Sequence, residues 1–131
     1  MNKRFIAGII LTLILALLYW SELLFSAIPS LAGIPERAAT IGWGDGTTRL
    51  YFIALALLDL LGGIGTVLVL LSAFKKNVNA NSLRFLVTTT AIYALMQFTV
   101  AFFFPSDLRP LYWGIGVVYG IIAGILPTLT K

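Results

Sequence analysis

The chain has 131 residues, of which 60% are hydrophobic and 11% charged, and its formal net charge is +4. Soluble domains are roughly 45–50% apolar and about 25% charged, and so short a chain cannot bury this much apolar surface in water, so membrane residence is expected. Cysteine and histidine are both absent, which excludes disulfides, thiolate and histidine metal sites, histidine-ligated haem, thiol catalysis and Ser-His-Asp hydrolysis.

The positive balance does not read as nucleic-acid binding. The nine basic residues are scattered at segment ends, with no run of motif length, and snorkelling and topology explain them there.

The first apolar segment, 5–27, follows Lys3 and Arg4 and predicts a membrane-spanning helix. A cleaved signal peptide is the alternative, with Ser30-Leu31-Ala32 as a small-x-small site. The run is longer than an ordinary signal core and continues through Trp20 and Phe25. A loop is expected over 28–48, because Pro29, Gly33 and Pro35 break helices. Within it, Gly42-Trp43-Gly44-Asp45-Gly46 reads as tight turns around an interfacial tryptophan. These glycines match neither the dinucleotide fingerprint nor the phosphate loop.

Thr47 or Thr48 is the expected cap of a second span over 50–74, closed by Lys75 and Lys76. A polar turn over 77–82 leads, through an Asn81 or Ser82 cap, into a third span over 83–104. Pro105-Ser106-Asp107 ends that span and caps a fourth over 108–129. Pro110 is tolerated in its first turn, and Pro127 is expected to fray its far end. With the N-terminus inside, Lys3, Arg4, Lys75, Lys76, Arg84 and Lys131 fall on one side and Arg37, Arg49 and Arg109 on the other. Six against three predicts that both termini are cytoplasmic. Trp20, Trp43, Tyr112 and Trp113 are then expected in an outer aromatic belt, and Phe102, Phe103 and Phe104 against lipid.

Each span carries a stripe of small or polar residues at steps of three and four, which places the stripe on one helix face. The stripes are Thr12, Ala16, Tyr19, Glu22 and Ser26; Ala56, Asp59, Gly62 or Gly63, and Thr66; Thr90, Tyr93, Gln97 and Ala101; and Tyr112, Gly116, Tyr119 and Ala123. Lipid cannot satisfy polar groups, so these faces are expected to point into a bundle. Asp59 is the sharpest feature, a carboxyl group near the middle of an apolar run. A rise of about 1.5 Å per residue puts it roughly 13 Å below the start of its span, with Gln97 about 10 Å and Tyr119 about 12 Å down. The expectation is a hydrogen-bonded cluster of Asp59, Gln97 and Tyr119, with Glu22 nearer the interface and Tyr93 deeper. No lysine or arginine stands at that depth, so Asp59 is expected as a neutral or hydrogen-bonded acid. It serves either as inter-helix glue or as a ligand or proton site.

Gly116, Gly120 and Gly124 recur at one-turn spacing, and Gly62 and Gly63 form a similar small patch. Both favour close helix approach, and packing of the second span on the fourth is expected ahead of an oligomer contact.

The segment Leu57-Leu58-Asp59-Leu60-Leu61-Gly62-Gly63-Ile64-Gly65, followed by an apolar run and Lys75-Lys76, resembles the second helix of DoxX-like proteins. These are small four-helix bacterial membrane proteins. The resemblance implies an accessory membrane subunit of the bacterial inner membrane, sometimes attached to sulfur or quinone-linked redox complexes, and it supplies no catalytic residues. The four-span layout with Glu22 in the first helix also resembles the small multidrug resistance transporters.

The sequence thus predicts an all-α bundle of four antiparallel transmembrane helices in one domain. The expected role is a non-enzymatic accessory or stabilising subunit, with no metal or cofactor. Its expected partners are the bilayer and other membrane subunits or further copies of the chain. The alternative is a small proton-coupled or lipophile-binding transporter that uses Asp59 and Glu22.

Overall fold

Long apolar runs leave the backbone little choice but to satisfy its own polar groups, and helices do this within one segment. The computed structural model describes residues 3–75, 78–104 and 108–129, and every regular element among them is helical. Helix α1 (Lys3–Glu22) runs through a single π turn (Leu23–Ala27) into α2 (Ile28–Ala32). A short α3 (Ile34–Ile41) follows, then the long helices α4 (Asp45–Phe74), α5 (Ala80–Phe103) and α6 (Arg109–Leu129). Four stretches are long and apolar enough to cross a membrane: Lys3–Ala32, Asp45–Phe74, Ala80–Phe103 and Arg109–Thr128.

The expected loop over 28–48 is mostly helix. Pro29 and Pro35 each stand in the first turn of a helix, where a missing N–H and a fixed φ do no harm. The π turn makes room ahead of Pro29, and the Ile28 N–H bonds back to the Leu23 carbonyl. The turn reading survives at Gly42 alone, where φ is 92° and the Trp43 N–H reaches the Ala38 carbonyl at 3.2 Å. α3 buries Ile34, Ala38 and Ile41 and leaves Glu36 and Arg37 exposed, so it lies along the end of the bundle as a cap.

Two other helix starts differ from expectation. α4 begins at Asp45, and Thr48 does not cap it. The Thr48 hydroxyl instead donates to the Gly44 carbonyl at 2.9 Å. α5 is capped by Asn79, whose Oδ1 accepts from the N–H groups of Asn81 (2.9 Å) and Ser82 (3.1 Å). The expected cap at Pro105-Ser106-Asp107 lies outside the described residues.

α1 stands beside α4 and α6, and α5 stands beside the same two, which leaves α4 and α6 diagonal. Among the described residues no Cα of α4 comes within 8 Å of a Cα of α6, so the glycine patches do not pack against each other. They receive aromatic rings instead. A Cβ on Gly62 would lie 2.5 Å from the Tyr19 ring, and one on Gly63 would lie 2.6 Å from Trp20. A Cβ on Gly116 would meet Phe98 at 2.8 Å, one on Gly120 would be 3.9 Å from Ala94, and Gly124 has nothing within 4 Å. The aromatic belt is likewise redistributed: Tyr112 is buried and stacks on Trp43 (centroids 5.8 Å apart). Trp113 remains outward, and Phe102 and Phe103 are two-thirds exposed, as expected of lipid-facing side chains.

Candidate functional site

The polar stripes point inward and meet at the centre of the bundle. Thr12, Tyr19, Asp59, Thr66, Thr90, Tyr93 and Gln97 are each fully buried, and Tyr119 is nearly so. The structure joins them in a different order from the one expected. Gln97 accepts from the Tyr51 hydroxyl at 3.2 Å rather than serving Asp59. Asp59 and Glu22 are close enough to interact, and neither Asp59 oxygen has a hydrogen-bond donor among the described residues. Tyr93 donates from its hydroxyl to Glu22. Tyr19 donates to Thr90 Oγ1 at 2.8 Å.

Glu22 is the residue whose depth was misjudged, and the helix ends explain it. Since the helical path from α1 continues through the π turn and α2 to Ala32, Glu22 lies ten residues from that end. Tyr93 is ten residues from Phe103, and Tyr119 is ten from Arg109. All three therefore sit about 15 Å below the Trp43 end of the bundle. Asp59 is fourteen residues from Asp45, because α4 projects further toward that end.

The three tyrosines form a wall around the acids. Tyr93 and Tyr119 have centroids 4.2 Å apart, and Tyr19 lies 5.6 Å from Tyr119 and 5.8 Å from Tyr93. No lysine or arginine occurs between Arg4 and Arg37, Arg49 and Lys75, Arg84 and Arg109, or Arg109 and Lys131, so this layer holds acids without a cation from the same helices. Two carboxylates are both acceptors and cannot bond to one another. Neither Asp59 oxygen has a hydrogen-bond donor among the described residues. The contact with Glu22 is a hydrogen bond only when one acid carries a proton.

The layer is open on one side and closed on another. Between α1 and α6 runs a groove of about 750 Å³, lined by Leu17, Leu18, Glu22, Gly114, Val118 and Tyr119 among others. Its walls are almost wholly apolar, and Glu22 is the charged residue that lines it. Asp59 stands behind Glu22, sealed from the groove. Seven residues further from the Trp43 end, about two helical turns, Leu15, Leu86 and Leu126 are fully buried, and Val69 joins them from α4. This apolar layer closes the bundle below the acids. At the other end, Trp43, Tyr51, Phe104 and Tyr112 pack ring on ring, beside a smaller lateral pocket of about 260 Å³ between α4 and α5.

Among the described residues no three Asp or Glu side chains gather as a metal site. Tyr51 is the member that sequence reasoning missed. It lies on the same face as Leu55, Asp59 and Gly62, at steps of four and three, and that spacing was available in the sequence.

No family model, curated protein or solved structure matches the chain.

Proposed function

We propose that this chain is a non-enzymatic integral membrane protein that takes a lipophile into the groove between α1 and α6 and holds it against Glu22. In this reading four antiparallel helices lie in the bacterial inner membrane with both termini cytoplasmic. The apolar lengths of the four helices and the distribution of basic residues support it. The role that fits is an accessory subunit, as the resemblance to DoxX-like proteins implies, presenting or sequestering a membrane-soluble molecule.

The observation that carries the proposal is the groove itself. Its size falls within the roughly 300–1,000 Å³ range of small-molecule sites, and apolar walls with few placed polar groups are their usual lining. The opening faces the level of the apolar helix surfaces, so a ligand dissolved in the bilayer enters sideways. Transport is the second reading, supported by the Glu22–Asp59 contact. The buried layer of Leu15, Val69, Leu86 and Leu126 favours binding over passage, because the acids have no open route to the far side in this conformation.

Gly114 provides the test. It lines the groove, and a Cβ there has nothing within 4 Å, so Gly114→Trp fills the groove without disturbing the core. Native mass spectrometry of protein extracted in mild detergent should show a bound lipophile in the wild type and none in Gly114→Trp. Equal occupancy in both proteins, or none in either, would count against the proposal.

A further inference from the structure

We infer that the lateral pocket between α4 and α5 is a second ligand site, which takes a small uncharged aryl carbonyl compound whose oxygen accepts from the Tyr51 hydroxyl. The long helices stand in the order α1, α4, α5, α6 around the bundle, so this pocket opens on the side opposite the groove between α1 and α6. The two share no lining residue. Their chemistry differs as well. The groove presents Glu22, whereas every residue lining the α4–α5 pocket is uncharged. An ion entering it would lose water and gain no counter-charge, so the matching occupant is neutral. At about 260 Å³ the pocket falls below the roughly 300 Å³ at which drug-sized sites begin. That space suits one ring rather than a fused system.

Ring contacts and an unmet hydrogen bond set the rest of the occupant's chemistry. Trp43, Tyr51 and Phe104 line the pocket. Trp43 meets Tyr51 edge-on with centroids 5.2 Å apart, and Phe104 at 5.9 Å. An aromatic guest extends this edge-to-face packing. Gln97, on α5 between the lining residues Met96 and Val100, is wholly buried. Its Oε1 accepts from the Tyr51 hydroxyl at 3.2 Å, while its Nε2 has no partner among the described residues. A buried amide N–H without an acceptor is destabilising. A half-turn of the amide makes Nε2 the donor and Tyr51 Oη the acceptor. The Tyr51 proton is then free to point into the pocket, and a carbonyl oxygen there accepts it. Gln97, Tyr51 and the guest so form one chain of hydrogen bonds, with Gln97 acting as a positioning residue. No covalent bond changes.

Fluorine NMR of the full chain in nanodiscs, with empty nanodiscs as the blank, tests this with three ring probes: para-fluoroacetophenone, para-fluoroethylbenzene and para-fluorobenzoate. The ketone should bind saturably, the hydrocarbon about five- to tenfold more weakly, the weight of one hydrogen bond, and the anion not at all. Tyr51→Phe should bring the ketone down to the hydrocarbon's level and leave the hydrocarbon unchanged. Gln97→Met should keep the ketone's advantage, because the Tyr51 hydroxyl stays free to donate. Ala54→Phe should abolish binding of both, since Ala54 lines the pocket. Gly114→Trp, which fills the other groove, should change nothing. Thermal unfolding of each variant separates loss of binding from loss of fold. Absence of saturable ketone binding would overturn the site and leave the groove between α1 and α6 untouched. Ketone binding lost in a folded Gly114→Trp protein would overturn its placement between α4 and α5. Equal binding of ketone and hydrocarbon would overturn the hydrogen bond, and saturable binding of the anion would overturn the neutral occupant. Cyclohexyl methyl ketone displacing the probe as well as acetophenone does would overturn the aromatic preference. Loss of the ketone's advantage in a folded Gln97→Met protein would overturn Tyr51 as the donor.

Discussion

Gly62 is the position where one added carbon should do most harm. Its missing side chain makes room for the Tyr19 ring, which is fully buried. An added Cβ would lie 2.5 Å from ring carbons, against 3.4 Å for ordinary contact, so the ring must yield by about 0.9 Å. Tyr19 has little freedom to do so, since Tyr93 and Tyr119 flank it and its hydroxyl is committed to Thr90 at 2.8 Å. Overpacking of this kind costs about 1–3 kcal/mol, and a weakened buried hydrogen bond adds about 1 kcal/mol. Alanine's better helix propensity returns about 1 kcal/mol. Gly62→Ala should therefore destabilise the protein by about 1–3 kcal/mol. Gly124→Ala is the matched control, because its Cβ meets nothing within 4 Å, and it should be neutral or stabilising by up to about 1 kcal/mol. Thermal unfolding in one detergent, followed by size-exclusion chromatography, gives the comparison. Equal stability of the two variants would refute the packing assigned to Tyr19.

Thr90→Val leaves the buried Tyr19 hydroxyl without its acceptor and should cost about 1–3 kcal/mol, read from the same unfolding curves. Trp43→Ala removes the ring that ties Tyr51, Phe104 and Tyr112 together and should cost about 3–5 kcal/mol, with easier proteolysis at α3 as a second readout. The chain has no cysteine, so single introduced cysteines report topology without background. Glu36→Cys should react with an impermeant maleimide from outside intact cells, and Ser82→Cys only after permeabilisation. The reverse pattern would contradict cytoplasmic termini.

The helical class, the four apolar segments and the inward stripes were legible because each rests on a local signal, hydrophobic length or a three-to-four residue step. The grouping of the acids was not legible, because it depends on where helices end. Pro29 and Pro35 read as breakers, yet each occupies the first turn of a helix, where proline fits. The π turn at Leu-Leu-Phe-Ser-Ala carries no residue that announces it. Placing the ends of the first two spans about five residues short put Glu22 in the wrong layer, and Gln97 was matched to Asp59 in its place. The glycine spacing announced close approach, which Gly62, Gly63 and Gly116 provide and Gly120 and Gly124 do not. The partners of those three are rings from α1 and α5, which glycine spacing does not specify.

Photo-crosslinking tests the groove most directly. A diazirine-bearing alkylamine, activated in membranes containing the protein and mapped by peptide mass spectrometry, should label Leu17, Leu18, Gly114 and Val118, and the labelling should vanish in Gly114→Trp. Labels spread evenly over outward-facing residues of the other helices, such as Leu57 and Leu95, and unchanged by that substitution, would contradict a lipophile seated between α1 and α6.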